Sequence, residues 1–151
     1  MDVYEKIKAL SGELPPPPPL AGMYIPVKQV GNLLYLSGQG CTVEGKVAYA
    51  GKLGLDQDIA GGQAAARLCI VNALSVLQQY LSDLNRIKNV VKLLGFVASA
   101  PGFGDQPLVM NGASQFLIDV FGDRGRHARS AIGVNELPGN ITVEIELILE
   151  I

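Results

Sequence analysis

The sequence is poor in the residues that many catalytic and structural chemistries require. Of 151 residues, two are cysteine (Cys41 and Cys69) and one is histidine (His127). That number and spacing exclude a disulfide framework, and they exclude a zinc site built from about four clustered ligands. One histidine allows at most one imidazole base. No nucleophile-elbow motif G-x-S-x-G accompanies it, no P-loop is present, and Gly102-Phe-Gly104 supplies only the first half of a dinucleotide fingerprint. Charge is scarce too: charged residues make up 17% of the chain and the formal net charge is −2. A negative chain lacks the basic field that broad nucleic-acid or anionic-membrane binding needs. Aromatic residues, at 6%, are too sparse for a stacking platform for single-stranded nucleic acid. No continuous apolar run approaches the roughly 18 residues of a membrane span. The opening segment MDVYEKIKAL carries two acids and no apolar leader stretch. A soluble protein in a reducing, cytoplasmic setting is expected.

Apolar residues, by contrast, make up 48% of the chain. With so few charges, part of the apolar surface is expected to lie against another subunit. The length suits one domain with a full core.

Along the chain, Val3, Ile7 and Leu10 recur at helical spacing, Gly12 closes the pattern, and Pro15 to Pro19 forbid its continuation. Five prolines favour polyproline II, read as a stiff surface spacer, with docking to an aromatic groove as the other reading. Residues 1–20 are thus a helix and spacer, and residues 21–151 a single domain. Strands are predicted over Tyr24–Val30 and Leu33–Ser37, joined at Gly31-Asn32, a pair that tolerates the positive φ of a hairpin turn. A short strand is expected at Lys46–Tyr49.

A helix capped by Asp56 or Asp58 then runs to Leu81, with Ile70, Ala73, Leu74, Leu77 and Leu81 on one face. Gly61-Gly62 near its start costs about 1 kcal/mol per glycine relative to alanine, so small residues are needed there, most simply for close approach of helix to sheet. Ile87–Ala98 suits a buried central strand, Gln106–Phe121 a second amphipathic helix stopped by Gly122, and Ala128–Val134 a further strand. From Ile141 to Leu149 apolar and polar residues alternate, the period of a half-buried strand. The order β-β-(β)-α-β-α-β-β predicts a two-layer α+β sandwich with both helices on one face of the sheet. The opposite face would be bare in a monomer and covered in an oligomer.

Four places hold polar groups against this apolar background. Ser37-Gly38-Gln39 follows a buried strand, where glycine lets backbone approach a ligand, although Ser-Gly is also ordinary turn chemistry. Arg129 starts a strand beside an apolar stretch. Its planar fork suits a carboxylate, and a salt bridge to Glu144 or Glu146 is the competing reading. Arg124, Arg126 and His127 lie in a loop and are expected to be solvated. Glu144 and Glu146 share one side of the last strand. They face solvent there unless a subunit covers them, in which case a buried glutamate can handle a proton or hold a water. Tyr24 offers a hydroxyl or an aromatic wall. Cys41, in the loop after Gln39, is a structural or a reactive thiol.

From about Gly22 to Ile151 the chain resembles the YjgF, or reactive-intermediate deaminase, family. The resemblance rests on Tyr24, Gly31-Asn32-Leu-Leu-Tyr-Leu-Ser37-Gly38-Gln39, Asn111-Gly-Ala, Ala128-Arg129-Ser130, and Leu137-Pro138 followed by Val143-Glu144-Ile145-Glu146. The N-terminal helix, the prolines and the segment from Phe96 to Asp105 resemble a longer subgroup, named YjgF/chorismate-mutase-like "putative endoribonuclease". The resemblance implies a chorismate-mutase-like fold and a homotrimer with clefts between subunits. It also implies hydrolysis of enamine and imine intermediates such as 2-aminoacrylate to 2-keto acids and ammonia, without a cofactor. It implies Arg129 on the substrate carboxylate, Glu144 on the attacking water, and Tyr24, Ser37 and Gly38 lining the cleft. Where deaminase members commonly carry a cysteine two residues after the arginine, this chain has Ala131, which reshapes the pocket. Non-catalytic binding of 2-keto acids therefore stands as an alternative. An endoribonuclease using the cluster Arg124, Arg126, His127 and Arg129 stands as another.

Overall fold

The computed structural model describes residues 1–151. Its first element, α1 (Val3–Ser11), begins at a capping box in which Asp2 and Glu5 satisfy each other's backbone N–H, and it ends at Gly12, whose φ is 82°. Val3 and Ile7 are buried in the main core, so α1 is packed against the sandwich and the proline run leads away from it.

The strands β1 (Val27–Val30) and β2 (Leu33–Gly40) form the hairpin over Gly31-Asn32. The first strand starts three residues later than Tyr24, because Pro26 has no N–H with which to join a ladder. The expected strand at Lys46–Tyr49 is reduced to β4 (Lys46–Val47). It pairs only with β3 (Thr42–Val43) around Glu44-Gly45, both at positive φ, and this small ribbon stands apart from the main sheet.

Helix α2 (Ile59–Leu81) is capped by Asp58, whose carboxylate accepts from Gly61 N at 2.7 Å, while Asp56 instead accepts from Lys52 N. After β5 (Asn89–Ala98), helix α3 spans Gln106–Phe121 and stops at Gly122, φ 63°. Strands β6 (Ala128–Val134) and β7 (Val143–Glu150) complete the chain. By length and composition α2 could cross a membrane, a property that a search for unbroken apolar runs misses, yet most of it is buried inside the protein, as befits a core helix.

The main sheet has the order β1-β2-β7-β5-β6, antiparallel except for the β5–β6 pair. It is a mixed sheet, and the fold is α+β. Alternation sorts its residues. Leu34, Leu36, Leu93, Val97, Val143 and Ile145 face the helices and are buried. Tyr35, Glu146 and Ile148 lie on the other face, which no element of this chain covers.

The glycines of α2 serve contact with α3 and a loop, not with the sheet as expected. A Cβ on Gly62 would lie 3.0 Å from Val109 Cγ1 and 3.1 Å from Leu53 Cδ1. On α3, a Cβ on Gly112 would lie 2.4 Å from the backbone oxygen of Gln63, so the two helices touch backbone to side.

Candidate active site

The first group of polar residues grows out of an irregularity in β2. Leu36 pairs with Leu147 and Gln39 with Ile145, so Ser37 and Gly38 together oppose the single residue Glu146. This β-bulge bends the strand where it borders Glu144. A Cβ on Gly38 would sit 2.9 Å from Glu144 Oε2 and 3.0 Å from its Cδ, so glycine is what leaves room for the carboxylate.

Glu144 is half-buried, and its pKa is raised above the ordinary 4.5, first by burial and then by the neighbouring charge of Glu146. Ser37 Oγ donates to Ile25 O at 2.7 Å, tethering the segment that presents Tyr24. Tyr24 is 46% exposed, and its hydroxyl accepts from Ala21 N at 3.3 Å. Tyr24, Gly38 and Glu144 share a cleft of about 280 Å3 whose opposite walls are the end of the proline run and Pro138–Gly139. Ser37 borders an adjoining cleft of about 410 Å3 on the open sheet face, with Lys28, Tyr35, Lys92 and Glu146.

The second group lies at the other edge of the sheet. Arg129, on β6, reaches α3, where its Nη1 donates to Asn111 Oδ1 at 2.9 Å and to Ser114 Oγ at 3.2 Å, and its Nη2 donates to Pro107 O at 3.4 Å. All three acceptors are neutral. The chain's two ion pairs are Lys8–Glu13 and Arg126–Asp123, so Arg129 forms a salt bridge with neither Glu144 nor Glu146. A guanidinium has five N–H donors. Three acceptors for five donors leave N–H groups over, among them Nε–H, which has no partner within the chain and can meet a carboxylate.

Ala131, two residues on, packs against the core beside Gly95. Asn111 and Ser114 stand one helical turn apart on α3, a spacing that puts both on one face; the sequence reading used Asn111 only as part of a motif and passed over Ser114. His127 is half-buried rather than solvated. Its Nε2 lies 2.9 Å from Ser114 Oγ and its Nδ1 lies 2.6 Å from Gly125 O. Burial lowers its pKa, partly offset by the Gly125 carbonyl, and Arg129 lowers it further.

Within one chain the two groups do not meet. Arg129 is paired with Leu93, which faces the helices, whereas Glu144 alternates with core residues and points to the other face. Two strand spacings and three residues along the strand separate them, roughly 14 Å between Cα atoms. Arg124 and Arg126 are exposed, as expected of loop residues, with Arg124 donating to Ile87 O and Arg126 pairing at the surface with Asp123. Both thiols are buried, Cys41 donating to Tyr49 O and Cys69 to Val143 O, and burial pushes the Cys69 thiol up. No three His, Cys, Asp or Glu residues gather as metal ligands.

The chain belongs to the family described as "YjgF/chorismate_mutase-like, putative endoribonuclease", whose model matches residues 5–151. A solved structure of a protein of unknown function from Agrobacterium tumefaciens is 46% identical, covers 99% of this chain and 91% of its own, and superposes with a TM-score of 0.91. Protein TCP17 of Trypanosoma cruzi is 39% identical over 150 residues, 99% of this chain and 94% of that protein. A 2-iminobutanoate/2-iminopropanoate deaminase of Dermatophagoides farinae is 31% identical over 145 residues, 95% of this chain and 96% of that protein.

Proposed function

We propose that the protein hydrolyses reactive imino acids, and the enamines in equilibrium with them, to 2-keto acids and ammonia in clefts shared between subunits. The observation that carries this reading is the unneutralised charge of Arg129: a cation held in place by neutral acceptors, with no carboxylate partner in the chain and with Nε–H unbonded. Glu144 supplies the other half. With its carboxylate in a partly desolvated cleft, it can accept a proton from water as the oxygen attacks the C=N carbon, then return that proton to the departing nitrogen. One imine and one water give one 2-keto acid and one ammonia, and no electrons are transferred.

The two halves come together if the β6 edge of one subunit lies on the uncovered sheet face of the next. Such a head-to-tail contact forms a ring where its rotation closes, and the family resemblance favours a ring of three. The 31% identical mite deaminase supports the reaction class. The second reading, 2-keto acid binding without turnover, is favoured by Ala131 in place of the cysteine. A nuclease is disfavoured by the net charge of −2 and by the scarcity of aromatic residues on which bases could stack.

The test is ammonia release from freshly generated 2-iminobutanoate by the wild-type protein and by Arg129→Ala, with the assembly measured by sedimentation. Turnover by a trimer that is lost in the variant is expected. An intact trimer that accelerates hydrolysis of no imino acid, yet binds 2-ketobutyrate, would replace the enzyme by the binding protein.

A further inference from the structure

The arginine is held by more than its own three bonds. Gly125 O can only accept, so the 2.6 Å contact requires a proton on His127 Nδ1. The lowered pKa keeps the ring neutral near pH 7, which leaves Nε2 bare. The Ser114 hydroxyl must then donate to Nε2 across 2.9 Å. With its proton committed, Ser114 Oγ turns its lone pairs towards Arg129 Nη1 at 3.2 Å. A polar chain thus runs from the Gly125 carbonyl through His127 and Ser114 to the guanidinium, and every member has a defined direction. Arg129 is the charged group facing His127; the remaining partners of the ring are the Ser114 hydroxyl and the Gly125 backbone.

We propose that Ser114 and His127 are positioning residues for the carboxylate anchor: together they hold the end of the Arg129 guanidinium so that its unbonded donors, Nε–H among them, face the ligand. The inference rests on the reading of Arg129 given above and extends it to two residues that touch no substrate. If the hydroxyl were free to rotate, its proton would point at the guanidinium for part of the time and release it. Without the hydroxyl, Nη1 keeps only Asn111, and the fork can turn about its last torsions. Fixing such a fork in advance is what lowers the cost of binding a planar partner.

The experiment compares Ser114→Ala, Ser114→Thr, His127→Leu and His127→Gln with the wild-type trimer. It reads KM and kcat for 2-iminobutanoate, 2-ketobutyrate affinity by calorimetry, and 15N NMR of the imidazole. Ser114→Ala and His127→Leu are each expected to raise KM and the ketobutyrate Kd roughly tenfold with kcat within about twofold, as loss of one hydrogen bond to a charged group does. The double variant should be no worse than Ser114→Ala, because both act through one bond. Ser114→Thr, which keeps a hydroxyl, and His127→Gln, whose amide oxygen can accept, should restore most of the affinity. The NMR should show the neutral Nδ1–H tautomer at pH 7, a readout independent of turnover.

Unchanged KM and Kd in Ser114→Ala and His127→Leu, while Arg129→Ala abolishes binding, would overturn this inference and leave the proposed function standing. So would an Nε2–H tautomer or an imidazolium at pH 7. A wild-type protein that binds and turns over no carboxylate would overturn the parent reading and this one with it.

Discussion

Adding one methyl group to Gly38 tests whether the Glu144 carboxylate works where the structure places it. The Cβ of Gly38→Ala would lie 2.9, 3.0 and 3.2 Å from Oε2, Cδ and Cγ of Glu144. Comfortable carbon contacts begin near 3.5 Å, so the carboxylate must retreat by roughly half an ångström or rotate away. The backbone itself accepts alanine, since Gly38 is not among the residues at positive φ. Stability should therefore change by less than about 1 kcal/mol, the strain being offset in part by reduced freedom of the unfolded chain.

Catalysis is less forgiving, because a misplacement of about 1 Å can cost on the order of a hundredfold. We expect kcat for the proposed imine hydrolysis to fall roughly 10- to 100-fold with Tm and oligomeric state unchanged, measured by ammonia release, thermal melting and sedimentation. The same substitution in a Glu144→Gln background should add little, because the group it displaces has already lost its function. A variant whose kcat stays within about twofold of wild type would refute the argument, showing either that Glu144 takes no part or that the site tolerates its movement.

Two further outcomes follow from the same geometry. Since burial and Glu146 raise the Glu144 pKa, the acid limb of the pH–rate profile should lie above that of an ordinary glutamate. Glu146→Gln removes the like charge and should move that limb to lower pH, whereas an unmoved limb would mean another group controls it. Because that pKa is raised on folding, the native state is favoured by protonated Glu144 and loses this advantage as pH rises through the folded value. Glu144→Gln should thus melt higher than wild type at pH 7, with the difference vanishing at pH 4. In the helix layer, Gly112→Ala would drive a Cβ to 2.4 Å from Gln63 O, a backbone atom that cannot rotate aside. A loss of about 1–3 kcal/mol, or roughly 3–10 °C in Tm, is expected, and a Tm within about 1 °C of wild type would show that the helices slide apart freely.

Much of the scaffold was legible because periodicity reports burial. The alternation from Ile141 onward placed β7 within two residues at its start, and the boundaries of α3 and β6 matched the structure. What eluded the sequence reading had no periodic trace. The bulge at Ser37-Gly38 breaks alternation for one residue, which in a sequence looks like an ordinary turn. The short β3–β4 ribbon was taken for a sheet strand, since two-residue strands carry too few positions to show which face is buried. The helix–helix contact of Gly62 and Gly112 depends on partners 45 or more residues away. At the site, motif and residue chemistry pointed to Tyr24, Ser37, Gly38, Arg129, Ala131 and Glu144. His127 was misjudged because a loop position says nothing of a serine waiting on a neighbouring helix.

The placement of β7 between β2 and β5 has a consequence for biosynthesis. The strand at the middle of the sheet is the last of the seven to be translated. Until residue 150 has been made, β1–β2 and β5–β6 are two separate fragments, each exposing an unpaired edge and an apolar face. The sheet therefore cannot close strand by strand in chain order: its completion awaits β7 and joins segments far apart in sequence, which slows folding. The strand that joins the two fragments also brings Glu144, so the sheet and the Glu144 cleft are completed together.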